Sequence, residues 1–582
     1  MSNIFTRNFF AKENYTATKN TIVGTLDIQN LLQITNATEK KGISSKDIAC
    51  KAVIGSGGWQ SWSPCFETHP GQKQSSGGNC ILRPMKVLID FPETKFRPNK
   101  NVVLCPFICY LRLDEFYLVI VSLASVCKTS LLPPVQFVLN RSTAQVEIEL
   151  ADSGKVWKDG ELQSEIAFFT ADSYFEVKDT LKSIFDCGQF AQIEFLGKKA
   201  LGWESWYNHY TQIDEKIIIE DLNALAEKET VLSLLNSDDS DTSDIANSTD
   251  TKGKTPIIFQ IDDGWETSVG DWSIHQEKFP GGLKSLANQI ENRGFIPGLW
   301  IAPFLLYEKS PVALEHPDWL LRNKNGKPVC AGVNPGWNGL KPLCCLDLSQ
   351  DEVLSYLDSI MDKAINDWGF RYLKLDFMYA GMLHGSFKNG GAAYEWYEKA
   401  IKLLTRRKTT KDGKKIAYLG CGIPMEQSYK DFPLSRIGCD TYEHWENKFL
   451  KLIKWNARNE AYLNLKDTLG RSLWDKTIYA NDPDVIFIRN KNCSLTRDEK
   501  LLIALTGSIF ASQIMYSDDP SDINSVEEIE LAREISKECK KYNCEFSVKE
   551  MAPDFYQLKS RDGKISGSIN LKKGEIHKIV FN

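Results

Sequence analysis

The chain of 582 residues reads as a multidomain α and β protein with three regions of different character. These are an N-terminal β-sandwich over 1–200, a central (β/α)8 TIM-type barrel over 201–539 and a small C-terminal β domain over 540–582. Three observations predict this order. Short β-branched and aromatic runs broken by Gly, Pro, Asn and Asp dominate up to about residue 195, the mark of an all-β domain. After about residue 200 a short apolar strand, a polar turn and a helical stretch alternate repeatedly, which demands a parallel sheet or barrel. From 540 the alternating strand pattern returns, over a segment long enough only for a β appendage.

Each element follows from a local pattern. In the first region the strand signals are VVLCPFICYLRL, FYLVIVSLASV, QVEIEL and EIAFFTA. The second region starts with LGWESWYNHY (201–210) before a helix-like DEKIIIEDLNALAEK, and continues with PIIFQIDDGW (256–265) and LKSLANQIENRGFIPGLWIAPF (283–304). Next come DEVLSYLDSIMDKAINDWGFRYLKLDF (351–377), AYEWYEKAIKLLTRR (393–407) before IAYLGCGIP (416–424), and SRIGCD (435–440). KTIYANDPDV (476–485) and LLIALTGSIFASQIMYSDD (501–519) are later pieces of the repeat, and EEIELAREISKEC (527–539) reads as a helix. These provide about eight strand candidates, the number a (β/α)8 barrel needs. YQLKSR, KISGSINL and EIHKIVF are the C-terminal strands.

Composition excludes several function classes. Apolar residues are 42% and charged residues 25%, ordinary for a globular protein. Lys and Arg total 70 against 76 Asp and Glu, a formal charge of −6, so no nucleic acid partner is expected. No run of about eighteen apolar residues occurs, and the first residues, MSNIFTRNFFAKENY, lack an apolar stretch with a small-residue cleavage site. The expectation is a cytoplasmic protein with no membrane partner. The 15 cysteines form no C-x-x-C pair and no H-E-x-x-H occurs, so reduced thiols and no metal are expected. The stretch 235–256 is polar and acidic, and reads as a disordered or surface insertion in the barrel. Its DDSDTSD run lacks the Gly and Glu of a calcium loop.

In a barrel, reactive groups collect at the C-terminal ends of the strands. Here IIFQI leads to Asp262 and Asp263, YLKL to Asp376, and SRIGC to Asp440. Alternation along a strand puts Lys374 on the face of Asp376, and Arg436 on that of Asp440. Lys374 is expected to keep Asp376 ionised, as a nucleophile requires, while Arg436 opposes a proton-donor role for Asp440 unless the Asp376 charge and desolvation counter it. NDPD (481–484) and SDDP (517–520) place Pro after Asp and read as turn chemistry. Tryptophans beside these Asp-rich ends, Trp59, Trp62, Trp203, Trp206, Trp265 and Trp300 among the 15, point to carbohydrate, because a flat apolar ring complements the C–H face of a sugar.

With GGWQSWSP (57–64), GWESWYNHY (202–210), FQIDDGWE (259–266), GDW (270–272), FPGGL (279–283), GLWIAPF (298–304), YLKLDF (372–377), LGCGIP (419–424), SRIGCDTYEHW (435–445) and NDPD (481–484) in this order, the chain resembles glycoside hydrolase family 36, typified by retaining α-galactosidases. The resemblance implies the same three-part architecture and no cofactor. It makes Asp376 the nucleophile and Asp440 the general acid/base. Asp262 and Asp263 would bind the O4 and O6 hydroxyls of galactose, Lys374 would lie near O3 and O4, and Cys421 and Arg436 near O2. Trp62, Trp206 and Trp300 would wall the pocket, and close packing of Cys421 and Gly422 at O2 would leave little room for an acetamido group. Expected partners are small α-galactosides. Glu443 and His444 in TYEHW are titratable groups that could tune the acid or the aglycone side. Within the class the alternatives are an α-N-acetylgalactosaminidase or an α-galactosyl transglycosylase. Outside it stand a metal-dependent barrel enzyme, which Lys374 and Arg436 among the carboxylates argue against, and a non-catalytic sugar-binding protein.

Overall fold

A computed structural model describes residues 4–8, 15–18, 21–37, 41–74, 96–123, 134–151, 165–237, 255–333, 342–447 and 460–582. The N-terminal region forms two five-stranded antiparallel sheets. One runs Phe5–Asn8, Glu165–Ala171, Phe116–Ser122, Ile108–Leu113 and Val53–Ser56; the other Tyr15–Thr18, Thr21–Asp27, Gln145–Ala151, Val135–Asn140 and Val102–Pro106. Between them lies a separate apolar cluster that includes Leu26, Leu111, Leu118, Ile120, Phe137 and Ile148, so the alternating residues of both sheets make the predicted sandwich core. The stretch up to residue 200 is not wholly β: Tyr174–Phe185 is a helix whose N-cap Ser173 accepts from the Glu176 amide. Its buried Val177, Leu181 and Phe185 join the cluster of the central region.

The central region is a barrel of eight parallel strands. In chain order they are β1 (Ala200–Glu204), β2 (Ile257–Ile261), β3 (Ile296–Ile301), β4 (Tyr372–Leu375), β5 (Ala417–Gly420), β6 (Leu434–Arg436), β7 (Ala480–Asp482) and β8 (Gln513–Tyr516). Neighbours run 7-6-5-4-3-2-1-8, and β7 closes the ring in two pieces. Ala480–Asp482 pairs with β6, whereas Val485–Ile486, beyond Pro483 and Asp484, pairs with β8. The Ser512 amide donates to the Asn481 carbonyl at 3.0 Å and completes the closure. The strands are buried throughout, as a sheet covered on both faces must be.

LLIALTGSIFASQIMYSDD is only in part a strand. Its first half continues the helix Arg497–Phe510, opened by a capping box between Thr496 and Glu499, and β8 follows. That helix is buried along most of its length, so its apolar run lacks the periodicity that distinguishes helix from strand. Of the insertion 235–256, residues 238–254 lie outside the described residues. Its ends are joined by Asn236 and Thr255, which exchange hydrogen bonds of 2.8 and 3.0 Å.

The C-terminal region is a four-stranded antiparallel meander, Phe546–Ala552, Phe555–Ser560, Ser566–Asn570 and Lys578–Phe581. One further connection positions the site. The N-terminal loop 57–64 reaches the barrel through Arg471, fully buried, whose guanidinium donates to the carbonyls of Gln60, Ser61, Ser63 and Ile437. The Ser61 amide donates to the Ile423 carbonyl at 2.9 Å and the Met425 amide to that of Trp59 at 2.9 Å, which docks Trp62 onto the loop after β5.

Candidate active site

The polar ends of the strands converge at the C-terminal face of the barrel. β1 ends on Glu204, β2 runs into Asp262 and Asp263, and β3 carries Trp300. β4 carries Lys374 and runs into Asp376, β5 into Cys421 and Gly422, β6 ends on Arg436 before Asp440, and β7 holds Asp482 beside Asp484. Four residues lining these strand-end loops, Tyr210 (φ 49°), Phe377 (φ 53°), Tyr442 (φ 60°) and Asp484 (φ 84°), have left-handed backbones without being glycine. Such strain persists where the surroundings over-determine it.

Around the lysine, Lys374 Nζ lies 2.8 Å from Asp262 Oδ2 and 3.3 Å from Glu204 Oε2. Gln260 Nε2 donates to the same two oxygens at 2.7 and 3.1 Å, and the Asp263 amide donates to Asp262 Oδ1 at 2.9 Å. Burial opposes the charge of Lys374, but Asp262 and Glu204 outweigh it and hold the ammonium well above its usual range. Burial pushes the Glu204 carboxyl up to about 8, with Lys374 pulling the other way and Asp262 and Asp484 adding to the rise. Asp263, like Asp262, is 2% exposed.

Lys374 makes its ion pairs with the carboxylates at the ends of β1 and β2, and acts on Asp376 only through space, in the direction the shared strand face predicts. Asp376 accepts instead from Trp300 Nε1 at 2.9 Å and from the Phe377 amide at 2.8 Å. Burial raises its pKa, and Lys374, acting through space, Cys421, Trp300 and the Phe377 amide lower it in turn. The donors on both oxygens favour the ionised form. Cys421 is buried against Asp376, and burial together with that carboxylate holds its thiol well above the usual range.

On the opposite wall, Arg436 Nη1 lies 3.2 Å from Asp440 Oδ1, Nε 3.2 Å from Asp482 Oδ2 and Nη2 2.6 Å from Asp484 Oδ1. Asp484 Oδ2 accepts from the Thr441 amide at 2.8 Å and from the Tyr207 hydroxyl. Burial raises Asp484 to about 6 against the pull of Arg436, with Asp440 and Asp482 adding to the rise. NDPD is therefore more than a turn: its two carboxylates grip the arginine that faces Asp440, and Asp484 also holds the residue next to Asp440. SDDP likewise supplies a buried anion, since Asp518 Oδ1 lies 2.8 Å from Arg489 Nη1.

The aromatic walls are unequal. Trp300 touches Asp376, and Trp62 packs edge-on against Phe377 and Tyr379 with ring centroids 5.0 and 5.8 Å away. Gly422 has φ 62°, a backbone that strains any side chain, and it lies against Tyr379 and Trp62, 3.3 and 3.4 Å from where a Cβ would stand. Trp206 packs on Tyr210, whose hydroxyl donates to Glu443 at 3.0 Å, farther along the rim. Glu443 is also paired with Arg489 Nη2 at 2.7 Å, and His444 packs against Tyr442. Trp203 and Trp265 belong to the core: Trp203 stacks on Phe259, and Trp265 packs among Trp272 and Trp368.

Glu204, Gln260, Asp482, Asp484 and Tyr207 are the residues that motif reading passed over as site members. Glu204 carried the same signal as the others, a carboxylate at the end of an apolar strand, but sat inside a tryptophan motif. Asp484 was hidden by the proline that precedes it.

Fold and site define a (β/α)8 barrel whose C-terminal face gathers carboxylates beside aromatic side chains. Residues 233–386 match the Melibiase family model. The alpha-galactosidase AgaA of Geobacillus stearothermophilus is 31% identical over 123 residues, 20% of this chain and 16% of that protein. Mel36A of Lactobacillus acidophilus is 31% identical over 126 residues, with the same shares, so these matches span about a sixth of either relative. Among solved structures, the alpha-galactosidase of Thermus thermophilus in complex with p-nitrophenyl alpha-D-galactopyranoside has a TM-score of 0.66 at 23% identity, covering 96% of this chain and 97% of that one. AgaA itself has a TM-score of 0.57 at 14% identity, over 95% of this chain and 69% of its own. At these identities the likeness is one of fold, and it extends across all three regions.

Proposed function

We propose that the protein is an α-galactosidase that hydrolyses terminal non-reducing α-D-galactosyl residues of oligosaccharides by retaining double displacement. The observation that carries the reading is the presence at one end of the barrel of a buried carboxylate after β4, Asp376, held by the Trp300 indole, and a more open one after β6, Asp440, on Arg436, with β5 between the two strands. Asp376 attacks C1 as nucleophile while Asp440 protonates the glycosidic oxygen. The covalent galactosyl ester is then released by a water that Asp440 deprotonates, and the α-anomer results. Such chemistry calls for carboxyl groups about 5–5.5 Å apart.

The binding roles follow the same reading. Asp262 and Asp263 take O4 and O6, Lys374 takes O3 and O4, and Cys421, Gly422 and Arg436 lie at O2, under the walls of Trp62, Trp206 and Trp300. The Melibiase match and the α-galactosidase names of the relatives support the sugar. Solved relatives carry stachyose and raffinose, which supports oligosaccharide substrates. One relative, from Flavonifractor plautii and 30% identical over 128 residues, is an α-D-galactosamine galactosaminidase, so O2 is the position that decides between the two sugars.

The division into domains at about residues 200 and 540 is supported by the first barrel strand beginning at Ala200 and the meander at Phe546, although the last sandwich strand ends at Ala171 and the helix after it packs on the barrel. No helix among the described residues is long and apolar enough to cross a membrane. The thirteen described cysteines are free, which supports a reducing, cytoplasmic setting, and the net charge of −6 supports the absence of a nucleic acid partner.

The test is a pair of substrates. p-Nitrophenyl α-galactoside is expected to be cleaved far faster than its 2-acetamido analogue, with full activity in excess chelator and with α-galactose as the first product by proton NMR. The reverse ranking, or β-galactose first, contradicts the reading.

A further inference from the structure

The proposed sugar pocket contains more acid than base. Glu204, Asp262, Asp263, Asp376, Asp440, Asp482 and Asp484 line its strand ends, and the cations among them are Lys374 and Arg436. So many ionised carboxylates around two cations cannot all persist out of water, and a proton must reside on at least one of them. Hydrogen-bond geometry distinguishes which.

Asp262 has donors on both oxygens: Lys374 and Gln260 on Oδ2, and the Asp263 amide on Oδ1. That is the pattern of an ion. Glu204, 1% exposed, takes both of its donors, Lys374 Nζ and Gln260 Nε2, on Oε2, while Oε1 is buried with no partner. An ionised carboxylate with one bare buried oxygen is costly. A carboxylic acid suits the geometry: Oε2 is its carbonyl oxygen and Oε1 its hydroxyl. Gln260, the register partner of Glu204 on β2, also keeps its own Oε1 buried without a donor.

We propose that Glu204 is a positioning residue of the sugar pocket that works as a neutral acid, committing the Lys374 ammonium to Asp262, and that its ionisation weakens sugar binding. The proposal rests on the reading of this pocket as the galactoside site. With Glu204 neutral, Lys374 and Asp262 form a one-to-one ion pair at 2.8 Å and present fixed groups to the sugar hydroxyls. Loss of the Oε1 proton to solvent makes Glu204 a second claimant for the same ammonium. The groups acting on that equilibrium are Asp262 and Asp484, which resist ionisation, and Lys374 and Arg436, which favour it. Tyr207 and Tyr372 stand nearby with hydroxyls that burial keeps neutral. The rise to about 8 from burial agrees with the hydrogen-bond pattern.

The experiment compares Glu204→Gln, a neutral isostere, with Glu204→Ala on p-nitrophenyl α-galactoside, with thermal unfolding to verify that both fold. KM of the wild type is expected to rise between pH 6 and pH 9. Glu204→Gln should keep KM within about threefold of wild type at pH 6 and hold it flat to pH 9, whereas Glu204→Ala should raise KM about tenfold or more at pH 6. Superimposable KM profiles for wild type and Glu204→Gln, or equal impairment of Gln and Ala at pH 6, overturn the proposal. Infrared difference spectroscopy supplies a readout independent of turnover: a protonated-carboxyl band in the wild type at neutral pH, lost in Glu204→Gln, is expected, and its absence from the wild type overturns the proposal. A wild type that cleaves no galactoside removes the functional reading instead, and the infrared band still decides the state of Glu204.

Discussion

The two candidate catalytic carboxylates sit in opposite surroundings. Asp376 is 8% exposed and each of its oxygens is held by an N–H, from the Trp300 indole and the Phe377 amide. The Asp440 side chain is 32% exposed and touches one cation, itself pinned from behind by Asp482 and Asp484. A nucleophile benefits from a fixed, dry position, whereas an acid/base must meet the leaving group and then a water. The contrast in exposure supports the proposed roles on a ground separate from motif.

The sharpest way to break that comparison is at the buried member. Asp376→Ala is expected to lower kcat/KM about 10³-fold or more with an unchanged unfolding midpoint, measured on any α-galactoside. Asp440→Asn should cost about 10²–10⁴-fold on an oligosaccharide and much less on an aryl galactoside, whose leaving group needs little protonation. Equal losses on both substrates would exchange or abolish the roles. Asp484→Asn probes the support behind Asp440. The change removes the carboxylate nearest Arg436 and leaves the guanidinium with Asp482 and Asp440, so urea unfolding should show a loss of about 1–3 kcal/mol, and kcat should fall with KM little changed.

The smallest effect concerns pH and stability. The folded state keeps the Glu204 proton up to about 8, while an unfolded glutamate releases it near about 4.3. Between those values the folded chain binds more protons, so this residue lowers stability as pH rises through the window. The unfolding temperature of Glu204→Gln should therefore fall less than that of the wild type from pH 5 to pH 8.

Much of this was legible in the sequence. The sandwich, the order of the barrel strands and the convergence of Asp262, Asp376, Arg436 and Asp440 at one face followed from alternation and from apolar runs ending in carboxylates. The ion-pair partners did not. Lys374 lies two residues from Asp376 along β4, but pairing inside a barrel is decided by which side chains meet across it, and Lys374 meets Glu204 and Asp262. Strand spacing reports the shared face and is silent about the opposite wall. Asp484 escaped for a related reason: β7 is interrupted at Pro483 and Asp484, and the break that looked like a turn is where the strand changes partner and turns a carboxylate inward.

The central claim is most directly tested by trapping the enzyme with a 2-deoxy-2-fluoro α-galactosyl fluoride and mapping the labelled peptide by mass spectrometry. The account predicts a single galactosyl ester on Asp376, in the peptide containing YLKLDF. A label on Asp440 or on Asp262, or turnover with no trapped ester, would contradict it.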